Sequence, residues 1–422
     1  MKKIFFTLYI LVSAMVLAQR PNPAPAQKNP IAITNATIHT ATGTVLNNAS
    51  IVFENGKITQ INGSIPSNAE VINAQNKNVY PGFILVNNTL GLVEISATNA
   101  TVDYREANDI SPEVRSLISF NTDSHVIPVI RSNGVLLTQP VLKHGTLSCT
   151  SSIMQLDAWN WEDAVVATDN VLHLSWPEIF RIDDEKRNKE FQTRRTEKIK
   201  ELTSLFQRAQ QYDNQQVKDY KLNAIKPVFE NRKLFVEVAG ANETLEVIAW
   251  ANKLNLKNVV LIGESNLVGV LDDIKKSNFP LIIKRVHSLP VNSSDSPRLP
   301  YEFAKLVQDK GILYGLDYSG DMEYQNSRNL PFLAGTTVAY GVEKEKALQS
   351  ITINLAKMLG IDKNYGTLEV GKSATLFISE GDALDQLTNN VTEAFIEGRK
   401  INLDNQQKEL YKTYQEKYRL NQ

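Results

Sequence analysis

The chain has 422 residues, a formal net charge of −1, 42% hydrophobic residues and 22% charged residues. This is the composition of an ordinary globular protein with enough apolar side chains for one large core and a smaller one. The near-neutral charge gives no reason to expect a nucleic acid or an acidic membrane surface as a partner.

The first 18 residues have the features of a secretory signal peptide. Lys2 and Lys3 precede a short apolar run, and Val16-Leu17-Ala18 places small residues at the two positions that determine cleavage. A retained N-terminal anchor helix is the alternative, but the run is short for a membrane span. The single cysteine, Cys149, is far from the cleavage site, which argues against a lipoprotein, and it cannot form an internal disulfide. We therefore predict an exported protein, periplasmic or secreted, with no membrane anchor after cleavage.

Both ends of the mature chain contain short β-strand patterns. A Pro-rich linker, residues 19–30, leads into alternating apolar runs up to residue 80. Between two of these runs, Asn55-Gly56 predicts a two-residue hairpin turn, because both residues adopt positive φ angles readily. Residues 366–402 contain similar strand runs. Each pair of strands has an apolar face that it cannot bury alone, so we expect the two ends to build one small β-domain.

The middle of the chain alternates strands with amphipathic helices. LFVEV (234–238) and NVVLIG (258–263) each precede a helical pattern, and so do PLIIKRV (280–286) and GILYGLD (311–317). This alternation indicates parallel βα units. The number of units that fits suits a (β/α)8 barrel, typically of about 250 residues. A doubly wound parallel sheet is the competing interpretation.

Two polar segments lie outside this alternation. Residues 181–215 mix both signs of charge and have apolar residues at helical spacing, which predicts a long solvated helix inserted after a barrel strand. Residues 403–422 predict a C-terminal helix that packs on the surface through one side. That side carries Leu410, Tyr411, Tyr414 and Tyr418.

Two stretches resemble a known family. Pro81-Gly82-Phe83-Ile84 resembles the segment that opens the first barrel strand of amidohydrolase-superfamily enzymes, and residues 328–378 follow the last barrel helices of that family almost continuously. The closest likeness is to imidazolonepropionase-like members. The resemblance implies a TIM-like barrel domain over residues 81–365 and a composite β-sandwich domain built from residues 31–80 and 366–402.

The family would use a divalent metal such as zinc, bound by an Asp, a His-x-His pair and two later histidines. The positions that correspond to these ligands by resemblance hold Leu85, Asn87, Thr89, Glu237 or Ala239, and Gly263. Neutral oxygen donors are poor substitutes for imidazole with zinc-like metals, and glycine has no side chain to offer. We therefore predict no metal and no other cofactor.

A few residues are still candidates for chemistry or ligand contact. The resemblance implies that Asp317 corresponds to the carboxylate that takes the proton from metal-bound water, and that Glu178 lies where some relatives carry a bridging residue. The alternatives are a hydrogen-bonded strand cap for Asp317 and a helix N-terminal carboxylate for Glu178. His144 and Cys149 share a loop without a nucleophile motif, and chance placement is our interpretation of that pair. Our ligand-binding candidates are Asn87, Thr89, Glu178, Glu237 and His287, with Asp317 as the catalytic candidate.

Three functions follow from these observations. The first is a pseudoenzyme that has lost metal-dependent hydrolysis of C–N bonds and binds a small-molecule ligand or a partner. The second is an active hydrolase of carbon–nitrogen bonds, in dipeptides or in non-peptide compounds, with an atypical site. The third is a structural subunit that pairs with an active relative.

Overall fold

The computed structural model describes residues 22–180, 182–213, 218–320 and 322–419. The predicted signal peptide, residues 1–18, lies outside these ranges. Across the described ranges, no helix combines the length and the apolar character that crossing a bilayer requires.

Strands from both ends of the chain form one sheet. Its N-terminal strands are β1 (Ile31–His39), β2 (Val45–Glu54), β3 (Lys57–Ile61), β4 (Glu70–Asn73) and β5 (Asn78–Pro81). Its C-terminal strands are β14 (Leu376–Ser379), β15 (Val391–Ile396) and β16 (Arg399–Lys400). The order is β16-β15-β14-β5-β1-β2-β3, with β4 also paired to β1. The predicted sandwich is therefore a single hydrogen-bonded sheet in the structure, and the division of the chain into domains stays a prediction.

The hairpin predicted at Asn55-Gly56 is confirmed. Asn55 and Gly56 have φ angles of 50° and 76°, and Glu54 pairs with Lys57 across the turn. The apolar side chains of this sheet contact one another in their own buried cluster, which includes Ile51 and Phe395.

The second sheet has eight strands and is curled like part of a barrel. Its strands are β6 (Phe83–Asn88), β7 (Val135–Pro140), β8 (Leu147–Gln155), β9 (Val165–Ser175), β10 (Lys233–Glu237), β11 (Val259–Gly263), β12 (Leu281–Ile283) and β13 (Tyr314–Leu316). They are ordered consecutively from β6 to β13. The structure is thus a mixed α/β fold whose sheet is consistent with a TIM-like barrel.

The regular (β/α)8 alternation that we predicted is wrong between residues 135 and 175. Strand β8 runs antiparallel to both β7 and β9, whereas the other neighbours in this sheet are parallel. Only residues 141–146 separate β7 from β8. A parallel connection needs a dozen or more residues, so this short loop forces the chain to turn back.

Helices lie between the barrel strands in the sequence and after the last strand of each sheet. They are α1 (Ile127–Arg131), α2 (Trp161–Ala164), α3 (Glu185–Gln211), α4 (Tyr220–Ile225), α5 (Ala241–Lys253), α6 (Leu271–Ser277), α7 (Leu299–Asp309), α8 (Glu323–Asn326), α9 (Leu330–Ala339), α10 (Lys344–Ser350), α11 (Ile353–Leu359) and α12 (Gln406–Tyr418). Helix α3 is the predicted charged insertion. It is not solvated on all sides, because Leu202 and Phe206 are buried and the Phe206 ring contacts the Trp250 ring at 5.0 Å.

The described part of the Pro-rich segment is fixed to the body of the protein. The Ala24 backbone amide donates a 2.8 Å hydrogen bond to Asp157, which also accepts from Arg131 and Arg399 at 2.9 Å each. Asp157 is buried, and a buried carboxylate is stable only when its charge is paired in this way.

Candidate ligand-binding site

Two adjoining cavities lie at the carboxyl ends of the barrel strands. Their volumes are about 430 Å³ and about 370 Å³. Lys143, Glu237 and Lys284 line both cavities, so these three side chains stand where the cavities meet. The first cavity is also lined by Asn87, His173, Trp176, Glu178, Phe235 and Glu264. The second is also lined by Thr89, Tyr104, Ser319, Glu323 and Tyr324. Barrel folds place their ligand sites at this end.

Asn87 connects the first and last strands of the barrel sheet. It lies in β6 with a positive φ of 52°, a conformation that asparagine tolerates better than most residues. Its side-chain amide donates a 2.9 Å hydrogen bond to Oδ2 of Asp317, which directly follows β13. The other oxygen of Asp317 accepts from the backbone amide of Ser319 at 3.1 Å and from its hydroxyl at 2.8 Å. Both carboxylate oxygens are therefore held by protein donors.

Burial is the main influence on the pKa of Asp317. The residue is fully buried, and this burial raises its pKa above the ordinary value. The hydrogen bond from Asn87, the charge of Lys143 and the Ser319 hydroxyl oppose the shift without cancelling it. Burial also raises the pKa of Glu323, where the charge of Lys143 opposes the shift and that of Asp317 adds to it.

Lys143 is a half-buried cation in the loop after β7. Its Nζ donates a 2.6 Å hydrogen bond to Oδ1 of Asn87. Asn87 therefore lies between the ammonium group of Lys143 and the carboxylate of Asp317. The sequence argument missed Lys143, although its place shortly after a barrel strand was a usable signal.

Lys284 is a second cation at the barrel mouth. It directly follows β12, and its Nζ lies 2.7 Å from Oε1 of Glu237 and 3.2 Å from Oε1 of Glu264. Burial alone would lower the pKa of Lys284, but the charges of the two glutamates and the hydrogen bond to Glu237 raise it. Burial alone would raise the pKa of Glu237, but the charges of Lys143 and Lys284 lower it. Lys284 and Glu237 are thus an ion pair, and the sequence argument missed Lys284 as well.

His173 is the buried histidine of this site. Its Nε2 lies 2.7 Å from the Ser151 hydroxyl and 3.4 Å from Nε2 of Gln139. Burial, helped by the charge of Lys143, lowers the pKa of His173 to about 3, so the ring is neutral at physiological pH.

The described architecture has counterparts among known proteins. Residues 274–407 match the amidohydrolase family. An amidohydrolase structure from Thermotoga maritima MSB8 has a TM-score of 0.78 at 19% identity, covering 88% of this chain and 99% of that one. The resemblance to the amidohydrolase superfamily is confirmed over residues 274–407, and the likeness to imidazolonepropionase-like members stays a prediction. A prolidase complexed with N-methylphosphonate-L-proline superposes less closely, with a TM-score of 0.53 at 13% identity over 88% of this chain and 99% of that one.

A Xaa-Pro dipeptidase with methionine bound in its active site is similar at the same level. Its TM-score is 0.50 at 14% identity, covering 88% of this chain and 99% of that chain. At these identities the likeness shows the amidohydrolase fold alone. A search of curated protein sequences found no match.

The donor set at this amidohydrolase-like barrel mouth does not fit a catalytic divalent metal. Within the described ranges, no three side chains of His, Cys, Asp or Glu converge closely enough to hold an ion. A Cβ atom placed on Gly263 would lie 2.4 Å from Cδ1 of Leu267, so the Leu267 side chain fills the space that a ligand at this position needs. Catalytic zinc sites usually have three protein ligands.

The other predicted site residues are distributed unevenly. Asn87, Glu178 and Glu237 line the first cavity, with Glu178 exposed at its edge, and Thr89 lines the second. His287 lines neither cavity; its Nε2 lies 2.7 Å from the Thr336 hydroxyl on the outside of the barrel.

The possible pair of His144 and Cys149 does not form a nucleophile. Cys149 is fully buried, and burial raises its pKa to about 11. His144 lies 2.8 Å from the Asn108 carbonyl and 3.4 Å from the Ser111 hydroxyl instead. A thiol with a raised pKa and no adjacent base is a poor nucleophile.

Proposed function

We propose that this protein is an exported pseudoenzyme with the amidohydrolase fold, which binds a small-molecule ligand at the barrel mouth and does not hydrolyse C–N bonds by a metal-dependent route. One observation carries the proposal. The cavities are large enough for a small ligand, yet the positions that resemblance assigns to metal ligands hold Asn87, Thr89, Glu237 and Gly263. The fold and the cavity support ligand binding, and the donor set argues against a catalytic metal.

The position of Asp317 argues in the same direction. A general base needs an oxygen that can reach a polarised water. Here both carboxylate oxygens of Asp317 accept hydrogen bonds from Asn87 and Ser319. An active hydrolase with an atypical site is therefore the less supported alternative.

The experiment compares turnover with binding in the purified mature chain. Dipeptides and cyclic ureides are incubated with the protein, with Zn²⁺ or Mn²⁺ added and with a chelator. The same compounds, together with methionine and N-methylphosphonate-L-proline, are tested for binding by thermal shift and calorimetry. We expect no turnover under any condition and saturable binding of at least one compound. Phe235→Ala should weaken this binding at least about tenfold, because the Phe235 ring forms part of the cavity wall. Turnover that needs added metal would contradict the proposal.

A structural subunit is the second candidate, and one surface favours it. We predicted that one side of α12 packs on the surface of the protein, and this prediction is wrong. The side chains on that side are all exposed: Leu410, Tyr411, Tyr414 and Tyr418. An exposed apolar row of this kind often marks a protein interface. This role is tested by co-expression with an amidohydrolase relative that has all of its metal-binding histidines. A heteromer that is disrupted by Tyr411→Asp and Tyr414→Asp would support the role. Two proteins that elute separately in gel filtration would contradict it.

A further inference from the structure

Three neighbouring strand ends bring one lysine between two glutamates. Glu237 is the last residue of β10, Glu264 follows β11, and Lys284 follows β12. These strands are adjacent and parallel, so the three side chains start from the same edge of the sheet. The Lys284 backbone amide donates a 2.9 Å hydrogen bond to the Gly263 carbonyl, which fixes where its side chain begins.

The ammonium group of Lys284 contacts both carboxylates at once. Its Nζ lies 2.7 Å from Glu237 and 3.2 Å from Glu264, and its side chain is only 22% exposed. Two carboxylates held this close would repel each other without a cation between them. In many proteins that cation is a divalent metal, since carboxylate oxygens suit Mg²⁺, Ca²⁺ and Mn²⁺.

We propose that the ammonium group of Lys284 is an internal cation that takes the place of a divalent metal between Glu237 and Glu264, and that removal of this group opens a divalent-cation site. The inference deepens the proposed function and rests on it, because it names what neutralises the barrel mouth in place of a metal. Glu237 is one of the positions that resemblance assigns to a metal ligand. Its partner in this chain is an amine that the chain itself supplies.

The chemistry of the opened site follows from its donors. Lys284→Met leaves an apolar side chain of similar length, so Glu237 and Glu264 lose the cation that contacts both of them and repel each other until another cation binds between them. The charge of Lys143 still acts on Glu237 in this variant. Both are oxygen ligands, so the site selects Mn²⁺ or Ca²⁺ over metals that prefer imidazole. Lys284→Arg keeps the positive charge and is the matched control.

The test measures Mn²⁺ binding by calorimetry for the full mature chain and its variants. We expect no saturable binding to wild type or Lys284→Arg and saturable binding to Lys284→Met, because one unit of positive charge has left the site. The double variant Lys284→Met with Glu237→Gln should lose this binding. Wild type that binds Mn²⁺ at Glu237, or folded Lys284→Met that binds none, would overturn the inference.

A second measurement is used in the event that Lys284→Met is less stable than wild type. Mn²⁺ should then raise the melting temperature of the variant but not that of wild type, because a ligand stabilises the state that binds it. A melting temperature unchanged by Mn²⁺ would count against the inference. The proposed function is tested by turnover and ligand binding of wild type, so its failure is distinguishable from failure of this inference.

Discussion

The side-chain amide of Asn87 donates a 2.9 Å hydrogen bond to the carboxylate of Asp317 and so joins the first and last strands of the barrel sheet. Within the described residues, β6 and β13 are not paired through their backbones. A second contact, from Asn88 to the Tyr318 carbonyl at 3.4 Å, lies at the same seam. A residue at a position that the resemblance assigns to a metal ligand thus forms a hydrogen bond between the two ends of this sheet.

Replacing Asp317 by asparagine should destabilise the protein by about 1–3 kcal/mol without removing a reaction. The new amide would place a donor against Asn87 or Ser319, both of which donate to Asp317 in the wild type. Chemical denaturation measures the change, and Glu178→Gln at the exposed cavity edge is the control. Wild-type turnover of a dipeptide or cyclic ureide that disappears in Asp317→Asn would instead identify a general base.

His173 should make the protein less stable at acid pH. Its pKa is about 3 in the folded state against 6.5 for the ordinary side chain, so the unfolded chain binds its proton more readily. Stability from this residue is therefore complete above pH 6.5 and falls toward pH 3, by up to about 1.4 kcal/mol per pH unit. His173→Gln keeps a side chain that can contact Ser151 and cannot titrate. The unfolding free energies of wild type and variant are measured from pH 7 to 4, and we expect the difference between them to shrink as the pH falls. If the difference stays constant over this range, His173 is not the source of the acid sensitivity.

A histidine at position 263 should not restore a metal site. Its Cβ atom would meet Leu267 at 2.4 Å, so we expect Gly263→His to cost about 1–3 kcal/mol of stability through overpacking. The double variant with Leu267→Ala makes room and should recover part of that loss. Thermal unfolding with and without Zn²⁺ compares them, and stabilisation of the single variant by zinc would show that the ligand fits after all.

The mature chain should begin near Gln19 and be found outside the cytoplasm. The basic N-terminus, the apolar run and the Val16-Leu17-Ala18 site motivate this expectation. Intact-mass measurement on protein recovered from the periplasm of an expression host tests it, with cytoplasmic material as the reference. Exported protein that still contains Lys2 and Lys3 would show an uncleaved segment.

Sequence patterns predicted the individual strands and helices of this fold better than the contacts that these elements make with one another. Asn55-Gly56 and the spacing of Leu202 and Phe206 encode local structure, and the hairpin and the charged helix formed as predicted. Strand β8 was missed because its direction depends on the length of the loop before it, which a search for βα units does not consider. Lys143 and Lys284 were missed because lysine is usually exposed, and only the folded barrel brings them to Asn87 and Glu237.

The sheet shared by the two chain ends has a consequence for how the protein is made. Val79 of β5 pairs with Ile378 of β14, and the whole barrel lies between them in the sequence. In the export that we propose for this chain, the N-terminal strands would cross the membrane long before the strands that complete their sheet. The edge of β5 that pairs with β14 would therefore stay open until translocation is nearly finished, and open edges pair readily with other chains. Binding by a periplasmic chaperone would protect this edge in the interval, and that interval shortens as export becomes faster.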